Sequence, residues 1–197
     1  MPIIAAIFWG IAILFTLVTA PVLLWQGIVG ICGLLPERKQ RAARSEPLYV
    51  HRFAVVVCAR NEERVIGALL DSLHAQDYPA DCVDLYVAAD NCTDGTAEEA
   101  RRHGARVYER TNREQVGKGY ALRWLLEKIE TDHPGAYDAV AVFDADNLAT
   151  PEFLRQMNEA LCHGADIVKG SRYASNPMDN WVSGGYAVYW RAMMRFF

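Results

Sequence analysis

The sequence predicts an α/β fold, a mainly parallel sheet with helices on both faces, preceded by an N-terminal transmembrane helix. Three observations predict it. No Asp, Glu, Lys or Arg precedes Glu37. From Phe53 onward, short apolar runs rich in β-branched residues alternate with stretches of helical hydrophobic spacing, the pattern of strands joined by crossover helices. Polar clusters follow the first, second and fourth of these runs, at the carboxyl ends of strands, where open parallel sheets bind ligands.

Residues 2–35 are uncharged and exceed the roughly 20 apolar residues that cross a bilayer. One span is expected between Ile3 and Leu24, with Pro21 able to kink it and Trp9 and Trp25 near the two interfaces. A cleaved signal peptide is the competing reading. The absence of basic residues before the apolar run, and the length of that run, speak against it. The next stretch carries Arg38, Lys39, Arg41 and Arg44 against Glu37. The positive-inside rule puts this flank and everything after it in the cytoplasm, as a single-pass protein.

In the soluble part, Phe53–Ala59 reads as a buried strand and 62–76 as a helix bearing Val65, Leu69, Leu70 and Leu73 on one side. Residues 83–89 form a second strand, ended by the polar turn 90–96. Thr96 is expected to N-cap a helix through Arg102, with Glu98 and Glu99 in its first turn. A short third strand covers 105–108. A helix over 119–130 carries Leu122, Leu125, Leu126 and Ile129, and a fourth strand covers 139–143. Thr150 and Pro151 read as N-cap and first residue of a helix reaching about His163, and 166–170 as a fifth strand.

Composition excludes some functions. The 197 residues hold 20 basic and 24 acidic side chains, a net charge of −4, which argues against a nucleic-acid partner. The five cysteines are odd in number and form no Cys-x-x-Cys pair, against a zinc site or disulfide framework and in favour of a reducing compartment.

Three motifs carry chemistry. Asp144 and Asp146, at i and i+2 on a segment read as extended, point to one side. Their repulsion calls for a hard divalent cation, Mg²⁺ or Mn²⁺, bridging to phosphate oxygens; a solvated turn or helix cap is the bland alternative. Asp90 ends the second strand and can accept a hydrogen bond from a nucleobase ring N–H, or else serve as turn chemistry. Gly117-Lys118-Gly119 opens a helix and suits a phosphate. It is not a P-loop, because Asn112 and Gly119 break that spacing, and no Gly-x-Gly-x-x-Gly follows the first strand.

Six blocks in order resemble the bacterial family-2 glycosyltransferases of GT-A fold, with the exopolysaccharide-building branch the nearest in look. They are Val57-Cys-Ala-Arg-Asn-Glu-Glu63, Ser72-Leu-His-Ala-Gln-Asp-Tyr-Pro79, Ala89-Asp-Asn-Cys-Thr-Asp-Gly-Thr96, Gly117-Lys-Gly-Tyr-Ala-Leu122, Phe143-Asp-Ala-Asp-Asn147, and Gly170-Ser-Arg-Tyr173 followed by Asn176-Pro177. The resemblance implies a metal-dependent, inverting transfer from a UDP-sugar to a polysaccharide or lipid-linked acceptor at the bacterial plasma membrane. Ala59, Asn61, Glu62 and Asp90 would hold uridine and Lys118 would lie by the nucleotide. Asp144 would approach the ribose or sugar, and Asp146, with Asp144, would bind the metal. The implied division is 1–35 transmembrane segment, 36–51 basic linker, 52–180 nucleotide-sugar domain and 181–197 the start of an acceptor or membrane-interface element.

The sequence departs from that family in one respect. Its later carboxylate-base block and Gln-x-x-Arg-Trp are missing: Arg123-Trp124 has Tyr120 where the glutamine would stand, and Asp179 is the only acid after Asp166. The expectation is an N-terminal part of a longer enzyme that holds the donor half of the site and lacks the base. Two other classes stay open, a sugar-nucleotide pyrophosphorylase and a non-catalytic nucleotide-sugar binder.

Overall fold

The computed structural model describes residues 2–34 and 49–196; the basic flank at 36–44 lies outside the described residues. The chain divides into two compact units.

One unit contains α1 (Pro2–Leu34) and α6 (Trp181–Phe196), which touch one another. α1 runs unbroken through Pro21. Its stretch Ile4–Ile28 is long and apolar enough to cross a membrane, with a mean hydropathy of 2.3, and extends beyond the expected end at Leu24. Its two described hydroxyls are satisfied within the helix: Thr16 Oγ1 donates to the Ala12 carbonyl and Thr19 Oγ1 to that of Phe15, both at 2.9 Å. That back-bonding is how a hydroxyl is carried in an apolar setting. On α6 the rings of Tyr186, Tyr189 and Trp190 pack against one another, and the Arg172 guanidinium lies 5.8 Å over the Trp190 ring.

The other unit, Ser45–Gly170, is an all-parallel sheet in the order β3-β2-β1-β4. The strands are β1 (Phe53–Ala59), β2 (Val83–Asp90), β3 (Arg106–Arg110) and β4 (Ala139–Asp144). The connecting helices are α2 (Ile66–His74), α3 (Thr96–Arg102) and α4 (Lys118–Asp132), and α5 (Phe153–Cys162) follows β4. Central β1 is buried on both faces, which is why it reads as a continuous apolar run. Phe53, Val55 and Val57 pack with Leu69, Leu70 and Leu73 of α2, Ala100 of α3 and Leu154 of α5. Ala54 and Val56 face Tyr86, Leu125 and Ile129, so α4 covers the other side. That cover stops short of β4, where Val140 and Val142 remain 48% and 47% exposed.

A buried amide fastens the entry to β1. Asn158 of α5 accepts at Oδ1 from the His51 backbone N–H (3.0 Å) and the Tyr78 hydroxyl (3.0 Å), and its Nδ2 donates to the Tyr49 carbonyl (2.9 Å).

Several expected boundaries move. The fifth strand at 166–170 does not form. It finds no ladder partner among the described residues, and Ile167 stands 92% exposed. α2 starts at Ile66, because the Glu62 carbonyl takes the N–H groups of Val65 and Ile66 in a preceding turn. Thr150 does not cap α5: its carbonyl closes a turn with the Phe153 N–H (3.0 Å), and the helix begins there. Thr96 is the first residue of α3 rather than its cap: Gly95 holds the cap position, and the Asp94 carboxylate before it accepts from the Thr96 N–H at 3.1 Å.

Candidate functional site

The strand order sets where the site lies. From β1 the chain winds outward through β2 to β3, then crosses to the other side of β1 for β4. The winding reverses between β1 and β4, and ligands bind outside the carboxyl ends of strands at such a point. The register lines up Cys58 with Asp144, Ala59 with Ala89, and Asp90 with Arg110 along that edge. The structure therefore brings Ala59, Asp90 and Asp144 to one edge of the sheet.

Two asparagines turn the chain there. Asn61 follows β1 at φ +57° and Asn91 follows β2 at φ +53°, the left-handed region that asparagine tolerates better than other side-chain-bearing residues. The loops they open are laced together. Asn61 Oδ1 accepts from the Thr93 N–H (2.8 Å), and the Glu62 N–H donates to Thr96 Oγ1 (2.8 Å). The Gly95 N–H donates to Glu63 Oε2 (3.0 Å), and a Cβ at Gly95 would come within 2.8 Å of that carboxylate, so a larger residue there would push the Glu63 side chain aside. The Asp94 carboxyl lies below its ordinary range, chiefly through the Thr96 hydroxyl, which donates to it at 2.5 Å. Asn61 and Glu62 thus hold the loop in shape through an amide oxygen and a backbone N–H.

Asp90 is buried and paired. Arg110 Nη1 donates to Asp90 Oδ1 at 2.6 Å, and Asn91 Nδ2 donates to the same oxygen at 3.1 Å. Both charged side chains are about 95% buried. Among the described residues Oδ2 takes part in no hydrogen bond, yet no buried side-chain oxygen or nitrogen there lacks a partner. Oδ2 therefore reaches accessible space and can accept from a ligand donor.

Lys118 is the first residue of α4, after Gly117 at φ +130°, and its ammonium forms an ion pair with Asp144. The helix N-terminus adds backbone N–H groups and a favourable dipole for anionic oxygens. Asp144 ends β4, but the chain turns immediately: the Asn147 N–H donates to the Asp144 carbonyl at 3.2 Å and Ala145 is buried. Asp146 thus sits in a turn, and the strand alternation expected for the two carboxylates does not apply. Its side chain is exposed, with no hydrogen bond or ion pair among the described residues. Those residues hold no cluster of three or more His, Cys, Asp or Glu able to hold a metal. Two hard oxygen donors at one strand end fit Mg²⁺ or Mn²⁺ when phosphate oxygens and water complete the shell.

Cys58 lies among these charges. Burial raises its thiol pKa, Lys118 opposes the rise, and Asp90 and Asp144 add to it, so it behaves as a small neutral core side chain. A cavity of about 300 Å³ lies at the opposite end of the sheet, lined by Leu73, His74, Tyr78, Val83, Asp84 and Arg106, away from these carboxylates.

Sequence reasoning missed Arg110 and Asn112 and gave Asn91 only a turn-capping part. Asn91 and Asn112 bridge β2 to the loop after β3: the Asn112 N–H donates to Asn91 Oδ1 (2.9 Å), and Asn91 Nδ2 donates to the Asn112 carbonyl (3.0 Å). A charged residue closing a short strand is the one signal that marks Arg110, and it gains meaning only once the register sets it beside Asp90.

Residues 51–197 match the family described as "Glycosyltransferase like family 2". The chain is similar to the beta-monoglucosyldiacylglycerol synthase of Synechocystis sp., 32% identical over 108 residues that make up 52% of this chain and 21% of that protein. It is also similar to the 4,4'-diaponeurosporenoate glycosyltransferase of Staphylococcus aureus, 36% identical over 117 residues, 57% of this chain and 30% of that protein. The chain spans less than a third of the length of these curated relatives. Among solved structures, a mannosyltransferase of Pyrobaculum calidifontis in complex with GDP-Man and Mn²⁺ shares the fold, with a TM-score of 0.50 and 24% identity over 71% of this chain and 42% of that one.

Proposed function

Because the chain belongs to the glycosyltransferases like family 2, we propose that it moves a sugar, with inversion, from a nucleotide sugar, first of all a UDP-sugar, to a polysaccharide or lipid-linked acceptor. In this reading α1 anchors the protein in the bacterial plasma membrane and the sheet unit lies on the cytoplasmic side, where nucleotide sugars are made. The relatives named for a glucosyl-diacylglycerol and for 4,4'-diaponeurosporenoate favour the lipid end of that acceptor range.

The observation that carries the reading is the carboxyl edge of the sheet. It joins an accessible carboxylate oxygen on Asp90 to a lysine-carboxylate pair, Lys118 and Asp144, at a helix N-terminus. Asp90 Oδ2 accepts the ring N–H of the base. Ala59, Asn61 and Glu62 shape the wall on the β1 side. Lys118 and the first turn of α4 bind the diphosphate and hold its charge as the glycosidic bond breaks. Asp144 and Asp146 would hold a divalent ion, which when bound supplies further neutralisation of the leaving diphosphate. A carboxylate base must still take the acceptor proton. None of this chain's residues is assigned to that part.

The test is donor turnover by membranes carrying the protein, supplied with a UDP-sugar, Mn²⁺ and lipid or oligosaccharide acceptors. Release of UDP with a glycosylated product is the result that would support transfer. Release of pyrophosphate would mean a pyrophosphorylase. Tight UDP binding without turnover in any acceptor mixture would leave a nucleotide-sugar binder.

A further inference from the structure

Arg110 makes two contacts in two directions, the first of them buried. Its Nη1 holds Asp90 Oδ1 at 2.6 Å, and its Nη2 donates to the Gln115 carbonyl at 2.9 Å. Gln115 lies in the loop that runs from β3 to Lys118. Asn112 Oδ1 stiffens the same loop by accepting from the N–H groups of Glu114 (3.0 Å) and Gln115 (2.9 Å). One planar guanidinium thus fixes the carboxylate at the end of β2 and the loop that delivers Lys118 to Asp144.

We propose that Arg110 is the positioning residue for donor-base selection: it occupies Asp90 Oδ1 so that Oδ2 faces the base, and it ties that carboxylate to the loop leading to the phosphate-binding lysine. The proposal rests on the donor-site reading above. A carboxylate held this way prefers a base with a ring N–H at the facing edge. Uracil carries N3–H, while cytosine presents a bare, electron-rich N3 at the same place. Arg110 touches neither base nor phosphate. It acts through the orientation and charge of Asp90. Lysine at this position keeps the charge but loses the planar fork that reaches two acceptors at once.

The experiment measures UDP and CDP affinity, with Mn²⁺ present, for the 197-residue chain in detergent and for Arg110→Lys, Arg110→Gln and Asp90→Asn, with a thermal melt of each. The unaltered protein is expected to prefer UDP over CDP by about tenfold or more, the range of a hydrogen bond to a charged group. That preference should collapse toward one in Asp90→Asn and in both Arg110 variants. Loss of a purely structural residue would weaken both nucleotides alike and keep their ratio. If Arg110→Gln fails to fold, Arg110→Lys decides. A preference lost in Asp90→Asn but intact in Arg110→Lys overturns the assignment of Arg110 and leaves the donor site standing. An unaltered protein that does not distinguish UDP from CDP overturns the base-binding reading, and the role of Arg110 falls with it.

Discussion

Replacing Lys118 with methionine removes the ammonium and keeps much of the side-chain length, and three consequences follow with different signs. The ion pair with Asp144 is 47% and 37% exposed on its two sides, so water screens it and its loss should change fold stability by only about 0–1 kcal/mol. Diphosphate binding should suffer more. A charge-assisted hydrogen bond to phosphate contributes about 1.5–3 kcal/mol, or roughly 10- to 150-fold in UDP affinity. Binding of Mn²⁺ alone should move the other way. A unit charge about 4 Å away acts with about 1 kcal/mol at the watery end of the dielectric range. Removing it from Asp144 should tighten Mn²⁺ roughly fivefold in the absence of nucleotide. Calorimetric titration with UDP and electron paramagnetic resonance titration with Mn²⁺ read the two sites separately. Weaker UDP together with tighter Mn²⁺ is the expected pair. Unchanged Mn²⁺ affinity would show that Asp144 is not a ligand, and unchanged UDP affinity that Lys118 does not meet the diphosphate.

Asp146→Asn should weaken Mn²⁺-dependent UDP binding by about 2–5 kcal/mol with little change in melting temperature; an unaltered titration would remove Asp146 from the metal site. The pKa of His103 is raised, first by the hydrogen bond to Asp71 and also by Glu99, which is itself paired with Arg102. Its contribution to stability is therefore full below the ordinary histidine pKa and is lost as pH rises through the raised value. Thermal melts from about pH 5.5 to 8.5 should show that loss in the unaltered protein and a flatter profile in Asp71→Asn; parallel profiles would refute the coupling. Asn158→Ala should destabilise the sheet unit by about 1–3 kcal/mol in a denaturant titration by orphaning the His51 N–H and removing a donor from the Tyr49 carbonyl, and a shift under about 0.5 kcal/mol would count against that anchor.

The parallel sheet was legible because its central strands are covered on both faces. Phe53–Ala59 has little exposed surface to spend on polar residues, and its run of valines says so directly. The 166–170 run failed for the complementary reason: Ile167 and Val168 have strand-like side chains, but strand formation needs a neighbour, and β-propensity reports packing as much as backbone preference. Caps slipped by a residue or two where a side chain nearby competed better, as Asp94 did for α3. Asp144 and Asp146 stand out in the sequence by their spacing, but the period-two argument failed at the turn after Asp144. Arg110 could not be found from spacing at all, because its partner lies 20 positions away and the link is a matter of strand register.

The position of β1 in the middle of the sheet has a consequence for the order in which the molecule can be made. β2 and β3 meet across about 20 positions, as the Asp90–Arg110 contact shows. β1 waits much longer for its other neighbour: the Arg52 N–H meets Asp138 Oδ2, at the mouth of the β1–β4 ladder, across 86 positions. Distant pairings carry the larger loop-closure entropy and form late. A chain emerging residue by residue can therefore assemble the Asp90–Arg110 part of the edge, on β1 to β3, while Asp144 and Asp146 are still unsynthesised. Refolding probed by pulsed hydrogen exchange is expected to protect the β1–β2 amides before those of β4. On that schedule a nascent chain pairs Asp90 with Arg110 before Asp144 exists to meet Lys118.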